Sequence, residues 1–492
     1  MLFKNLIGDC DCFYRGEQDL SQIDVESISQ DSKDVLKGGI YFCLTDDVKK
    51  ANSRCIEALQ NGARVVVSKF DLSLKEHIMV DDVRKVFSTA CANFYERACD
   101  GLKIVGITGT NGKTSTSHIV AQMLRRNGKK VGVIGTNGVY FDGRKYDCPL
   151  TTPDADFLHK TFFEMKKAGV EYIVMEVSAH AIDQKRIDGI NFDVGVLTNI
   201  TQDHLDYFKT MEEYEKTKLS FFDPSYIKCG IVCADDQLAR KLLDESKVPL
   251  ISYGLNNPSD VFAIDVGYFL DGSNFVANVC DEVLPISTNL VGEYNVYNSL
   301  ASLAVCYALG LSPEELKLGI THAQPVEGRF NVINVGGKYA VVDFAHTPDG
   351  LYQILKSCRE LTNGKLFVVF GCGGNRDRTK RSQMGKIAEE YADFVCLTDD
   401  NPRCENGDLI IQDIEKGMDK YHFVEHDRAK AIAKMLDLAR RGDMVVVAGK
   451  GAEPYQEIGH QKLQYSDFDV IFNYHKNQRQ GQYNSERNRD LL

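Results

Sequence analysis

The stretch GITGTNGKTSTSHI, residues 106–119, decides how the rest of the chain is read. An apolar run over 104–107 precedes it with the density of a buried strand, and residues 114–126 follow with helical spacing. A glycine turn between a strand and a helix is where a phosphate belongs. Backbone N–H groups can approach its oxygens, the helix N-terminus adds partial positive charge, Lys113 can reach the terminal phosphates, and the Thr114 hydroxyl can meet Mg2+. The strict G-x-x-x-x-G-K spacing is not met, because the position five before Gly112 is Ile107; Gly106 and Gly109 flank it instead. The bland alternative is a glycine turn before an ordinary helix, and it leaves the coincidence of strand, turn, Lys-Thr and helix unexplained. The dinucleotide fingerprint G-x-G-x-x-G is absent, so ATP is the expected ligand, held by Gly109, Thr110, Asn111, Gly112, Lys113, Thr114 and Ser115.

Outward from this turn, strands are expected over 130–134, 172–177 and 192–198, with a polar helix over 211–222. This β-α-β alternation predicts a mostly parallel sheet covered by helices. Near Gln324 to Gly328 the pattern breaks, and strands over 340–343, 366–370, 394–397 and 444–448 begin a second alternation. The first hundred residues read as a small α/β unit, with a turn at Lys37-Gly38-Gly39 feeding an apolar run over 40–44. The expected fold is therefore α/β in three domains: a small N-terminal domain (1–99), a central parallel-sheet domain with the phosphate loop (100–323) and a C-terminal Rossmann-like domain (324–474). A polar, mobile tail (475–492) follows.

Composition narrows the function classes. A chain of 492 residues with 43% apolar content can bury several cores, and a formal charge of −12 argues against broad nucleic-acid binding. No run approaches a membrane span, and the N-terminal residues lack a secretion signal, so a soluble cytoplasmic monomer is expected. Fifteen cysteines are scattered without metal-ligand spacing and read as reduced thiols, with Cys233, Cys280 and Cys306 in apolar segments.

The motifs TGTNGKT (108–114), TTPDA (151–155), MEVSAHAIDQKRI (175–187) and TNITQDHLDYF (198–208) resemble the Mur ligases over nearly the whole chain, and within them the UDP-N-acetylmuramoyl-tripeptide synthetases (MurE type). That resemblance implies binding domains for a UDP sugar, for ATP and for an incoming amino acid, in that order. It implies Glu176 and His204 as Mg2+ ligands beside Thr114, and Lys218 as a lysine that reacts with CO2 to form a carbamate ligand, for which its pKa must be depressed. Lys113, Lys218, His204 and Glu176 form the implied catalytic set. Asn295, Asn298, Arg329 and Asp343 match positions near ATP; Ser32, Thr151, Thr152, Ser178, Gln184 and Arg186 match positions for the UDP-muramoyl dipeptide. Two departures are visible: Leu150 precedes the paired threonines, and the loop Thr45-Asp46-Asp47-Val48 lacks the usual Gly-His character.

In the third domain TDDNPR (398–403), GCGGNRDRTKR (371–381) and AGKGAEPYQ (448–456) resemble a diaminopimelate site, with Ala452 in place of the usual His. The distal carboxylate and amine of that amino acid need a fork of donors and an acidic acceptor. Arg376, Asp400, Asn401, Pro402, Arg403, Gly449 and Glu453 are the implied contacts, and lysine as substrate would leave an arginine without its partner. The resemblance thus implies ATP- and Mg2+-dependent joining of meso-diaminopimelate to UDP-N-acetylmuramoyl-L-Ala-D-Glu through an acyl phosphate. Its setting would be peptidoglycan synthesis, and hence cell shape and division. Alternatives are the same ligase adding L-lysine, a folylpolyglutamate-type ligase, a silent scaffold, and a regulatory phosphate-loop switch. The retained Lys113, Lys218 and Arg403 argue against the scaffold, and the acid-and-arginine pocket of the third domain argues against the switch.

Overall fold

The computed structural model describes residues 1–489 except 9 and 18, with the side chains of residues 21 and 479–489 outside the description. Three α/β layers follow one another along the chain. The first holds a five-stranded sheet and the second an eleven-stranded sheet; the third holds six strands, with a separate hairpin, Tyr455–Ile458 with Gln461–Gln464.

The phosphate-loop strand, Lys103–Thr108, lies between Tyr172–Glu176 and Phe192–Leu197 and pairs parallel with both. All its residues beyond Lys103 are buried, as expected of a strand covered by helices on both faces. Helix Lys113–Arg126 packs on one face with helix Glu293–Ala308 and buries Ile119, Val120, Met123 and Leu124. On the other face Ile104, Phe192 and Phe221 join a second core. Parallel pairing runs from Val131–Gly135 at one side to Val261–Phe269 at the other, and both ends of the sheet turn antiparallel. The expected parallel sheet is present, and the antiparallel strands 261–288 extend it beyond what was read.

The six-stranded sheet places Lys338–Asp343, Met444–Ala448, Leu366–Phe370 and Phe394–Leu397 in parallel, each close to its expected span. Segments that follow two of its strands reach the second layer, through Asp349 to Asn111 and through Thr379 and Lys380 to Gln202 and Asp203. The segment expected as a tail continues a helix, Asp467–Arg489, while residues 490–492 lie outside the described residues. All fifteen cysteines are free, with Cys233 and Cys306 buried and Cys280 half-buried. No helix among the described residues is long and apolar enough to cross a membrane.

The start of that last helix is tied into the third layer by a buried ion pair. Arg428 holds both carboxylate oxygens of Asp467 at 2.8 Å, and neither side chain reaches solvent. A third bond from Arg428, to the Ala448 carbonyl at 2.9 Å, fixes the strand end that precedes Gly449. Breaking such a pair leaves an uncompensated buried charge, so Asp467→Ala is expected to lower unfolding stability by about 3–5 kcal/mol, read from the shift in the urea midpoint.

Candidate active site

The phosphate turn is built so that its own side chains do not block its amides. Gly109 has φ +143° and a Cβ there would stand 1.8 Å from Thr198 Oγ1, so only glycine fits. Gly112 starts the helix without a side-chain cap, which leaves the first-turn N–H groups free for an anion. Neighbouring segments brace the turn: Asn111 N donates to Asn199 Oδ1 at 2.9 Å, and Thr110 Oγ1 donates to the Thr201 carbonyl at 3.0 Å. Lys113 Nζ folds back over the loop onto the carbonyls of Gly109 and Thr110, at 2.8 and 2.9 Å. Burial lowers its pKa, an effect opposed by Glu176 and Asp203.

Glu176 ends its strand beside the turn and is buried. Its Oε1 accepts from Thr114 Oγ1 at 3.0 Å and from the Thr136 amide at 2.8 Å; its Oε2 accepts from Thr136 Oγ1 at 3.1 Å. The Thr114 hydroxyl also accepts from Arg329 Nη2 at 3.2 Å, which brings the arginine beyond the sequence break onto the first turn of the helix. The Arg329 guanidinium lies 4.2 Å from the centre of the Phe344 ring. Asn111 reaches across as well, to Asp349 Oδ2 at 2.8 Å. On helix Glu293–Ala308, Asn298 accepts from Thr116 at 3.2 Å and donates to Asn295 at 3.1 Å, so the pair backs the phosphate-loop helix. Ser115 is buried in that helix's first turn. Both oxygens of Asp343 accept backbone amides, from Phe330 and Ala345 at 2.8 Å each, so in this arrangement it holds the chain entering the third layer.

Lys218 is buried on helix Met211–Ser220, with Nζ 4.8 Å from the centre of the Tyr214 ring. Among the described residues no carboxylate comes within ion-pair distance of it. Burial, and then the charge of Lys113, push its pKa well below the ordinary lysine value, against the field of Asp203. His204 sits at φ +57° in the same region, its ring 4.8 Å from that of His180, and burial keeps it neutral. Asp203, unassigned from sequence, is the buried acid facing His204 Nε2 at 3.5 Å.

Between the first two layers lies a cavity of about 440 Å3 whose lining includes Thr45, Asp46, Arg54, Arg84, Gln184 and Arg186. Arg186 is oriented by Asp154 at 2.9 Å and by the Thr152 carbonyl at 2.8 Å. Thr152 is itself committed to the backbone, bonding the Glu176 carbonyl and the Ser178 amide at 2.9 Å each. Thr151 reaches Thr136 at 3.1 Å, and Ser178 caps the short helix Ala179–Asp183. Ser32 does not line this cavity; its hydroxyl donates to Glu57 at 2.5 Å. Arg54 and Arg84 were missed because each reads as an ordinary charged position on a helix, Val48–Gln60 or Val83–Phe94.

The third-layer residues come together at the strand ends. Asn401 Nδ2 donates to Glu453 Oε2 at 2.9 Å, and the buried Lys450 bonds both, at 2.9 and 3.1 Å. Asp400 packs against Gly449, where a Cβ would stand 2.6 Å from Asp400 Oδ2. Pro402 is buried, and Arg403, with Arg376 as its neighbour around Gly373, donates to the Gly374 carbonyl at 2.9 Å. Arg403 is not an unpaired cation: Glu457, unassigned from sequence, accepts from its Nε at 2.9 Å. A substrate without a distal carboxylate would therefore leave Arg403 with a resident partner, and the penalty argued from sequence is smaller than for an orphaned charge.

Comparison with known proteins accords with this geometry. Residues 107–306 match the Mur ligase middle domain, and residues 328–451 match the Mur ligase glutamate ligase domain. The UDP-N-acetylmuramoyl-L-alanyl-D-glutamate--2,6-diaminopimelate ligase of Geobacillus kaustophilus is 38% identical over 456 residues, covering 90% of this chain and 93% of its own length. A ligase of the same name from Clostridium acetobutylicum, designated 1, is 38% identical over 481 residues, 96% of this chain and 98% of its own. A solved structure of a ligase of that name superposes with a TM-score of 0.71 at 30% identity, across 97% of this chain and 99% of that one. The chain belongs to the Mur ligase family.

Proposed function

We propose that this protein is an ATP-dependent amide-forming ligase that joins meso-diaminopimelate to the D-Glu side-chain carboxylate of UDP-N-acetylmuramoyl-L-Ala-D-Glu, acting as a cytoplasmic monomer in peptidoglycan precursor synthesis. The observation that carries this reading is the meeting of Thr114, Glu176 and Arg329 at the phosphate turn, with Asn401, Arg403 and Glu453 on the same third layer that delivers Arg329. The cavity beside Arg54, Arg84 and Arg186 offers cationic groups to a nucleotide diphosphate. The three ligand regions thus follow the three layers.

The chemistry needs few groups. The substrate carboxylate attacks the γ-phosphorus, ADP leaves, and an acyl phosphate forms; the amine then attacks the acyl carbon, loses a proton, and phosphate departs. Lys113 and the first-turn amides hold the phosphates, Arg329 adds charge from the opposite side, and Asn401, Glu453 and Arg403 orient the incoming amino acid. The oxygen donors Thr114 Oγ1 and Glu176 Oε1, 3.0 Å apart, suit a hard cation such as Mg2+. His204 and carbamylated Lys218 would join Thr114 and Glu176 in holding such an ion beside the ATP phosphates. Mg2+ bound there would neutralise charge on the transferred phosphoryl group. A second reading, L-lysine as the amino acid, is kept because Glu457 already partners Arg403.

Phosphate release with ATP, Mg2+ and the UDP-linked dipeptide is expected with meso-diaminopimelate and at least tenfold slower with L-lysine at equal concentration, a difference of about 1.4 kcal/mol. Equal rates would move the assignment to a ligase of mixed specificity, and release with neither amino acid would remove it. Lys218, its pKa lowered by burial, is expected to take up 13C-labelled bicarbonate and show a carbamate carbon signal. Lys218→Arg should lack that signal and the activity, and a wild-type spectrum without it would contradict the assignment of this lysine.

A further inference from the structure

The second and third layers meet at the phosphate turn, at the start of helix Glu293–Ala308, where Lys356 pairs with Glu293 at 3.0 Å and Tyr294 donates to Asp343 at 3.3 Å, and at the loop that carries Gln202 and Asp203. Besides the Asn111 to Asp349 bond, Gln202 Nε2 donates to Thr379 Oγ1 at 2.9 Å, and the next residue, Asp203, faces two cationic or basic groups of the third layer. Its Oδ1 lies 3.6 Å from Lys380 Nζ, and its Oδ2 lies 3.8 Å from His346 Nε2 and 3.5 Å from His204 Nε2. Asp203 and Lys380 are each only about one-twentieth exposed. Among the described residues Asp203 is the only acid within ion-pair distance of Lys380. The Asp203 carboxylate is anchored from its own loop by the His204 amide at 2.9 Å, so the pair has one end fixed in each layer.

We propose that Asp203 is a positioning residue for the ligase reaction: it latches the third layer, through Lys380 and His346, onto the loop that carries His204. The inference rests on the ligase reading for its kinetic consequence and on the geometry alone for its structural one. Lys113 and Lys218 lie within the field of the same carboxylate, so the latch also supplies negative charge where two buried lysines approach each other. The Lys380 ammonium is the cation of the latch. Removing the carboxylate would leave Lys380 buried without a counter-charge and loosen the docking of the third layer at this loop. The loop around Lys380, which leads into the third-layer strand ends, would then be less firmly set against the loop that carries His204.

A double-mutant cycle on the full-length protein tests this. Asp203→Asn and Lys380→Met are each expected to lower kcat for phosphate release by about a hundredfold, as small misplacements of reacting groups do, and the double variant by about the same factor because both break one contact. Lys380→Arg, which keeps the charge, should retain most of the rate. Small-angle scattering should show Asp203→Asn more expanded than the wild type whether or not the chain proves to be a ligase. Losses that multiply in the double variant, an arginine variant as slow as the methionine one, or unchanged scattering would each overturn the latch. A wild type that releases no phosphate but expands on Asp203→Asn would instead count against the ligase reading alone.

Discussion

A single buried carboxylate, Glu176, sets the terms for the rest of the site. It ends a parallel strand next to the phosphate-loop strand, and a carboxylate taken out of water there is tolerable only because three donors converge on it. One of those donors is the Thr114 hydroxyl, which then turns its own acceptor capacity to Arg329. The strand end, the first turn of the helix and the entry to the third layer are therefore linked through two side-chain oxygens. Reordering any of them would expose an unsatisfied charge.

The same logic governs the cations. Lys113 and Arg329 are gathered where burial lowers both pKa values, against the opposing fields of Glu176, Asp203 and Asp343. Positive charge crowded in this way is incomplete without an anion, and a triphosphate supplies one that can be released after the reaction. Lys218 departs from the pattern, since it lacks an acidic partner among the described residues and stacks on Tyr214 instead. That setting suits a lysine whose chemistry requires the free amine. The site also spans two layers, so its electrostatics are complete only when the third layer is docked.

How far the sequence discloses this depends on whether the chemistry is contiguous. The turn from Gly109 to Thr114, and the strings around Asn401 and Gly449, are legible because each does its work within a few successive residues at a strand end. Contacts made by residues far apart are not legible: Arg54, Arg84, Asp203 and Glu457 look like solvated charges until the layers close around them. Lys450 lies inside a motif that was noticed, yet only the fold shows its ammonium buried between Asn401 and Glu453. The antiparallel strand Glu282–Thr288 buries every second residue from Leu284, but Val283 beside Leu284 blurs that alternation in the sequence. Asp343 shows the opposite case, a position implied near ATP by resemblance whose oxygens here accept backbone amides.

The central claim is that the fold brings the terminal phosphate of ATP to a substrate carboxylate and then an amine to the product of that transfer. It is tested most directly by labelling the D-Glu side-chain carboxylate of the UDP-linked dipeptide with 18O and analysing the phosphate released after ligation. Activation by phosphoryl transfer predicts that one labelled oxygen appears in the inorganic phosphate for each amide bond formed. Phosphate free of label, with product still formed, would contradict the account and require the carboxylate to be activated another way.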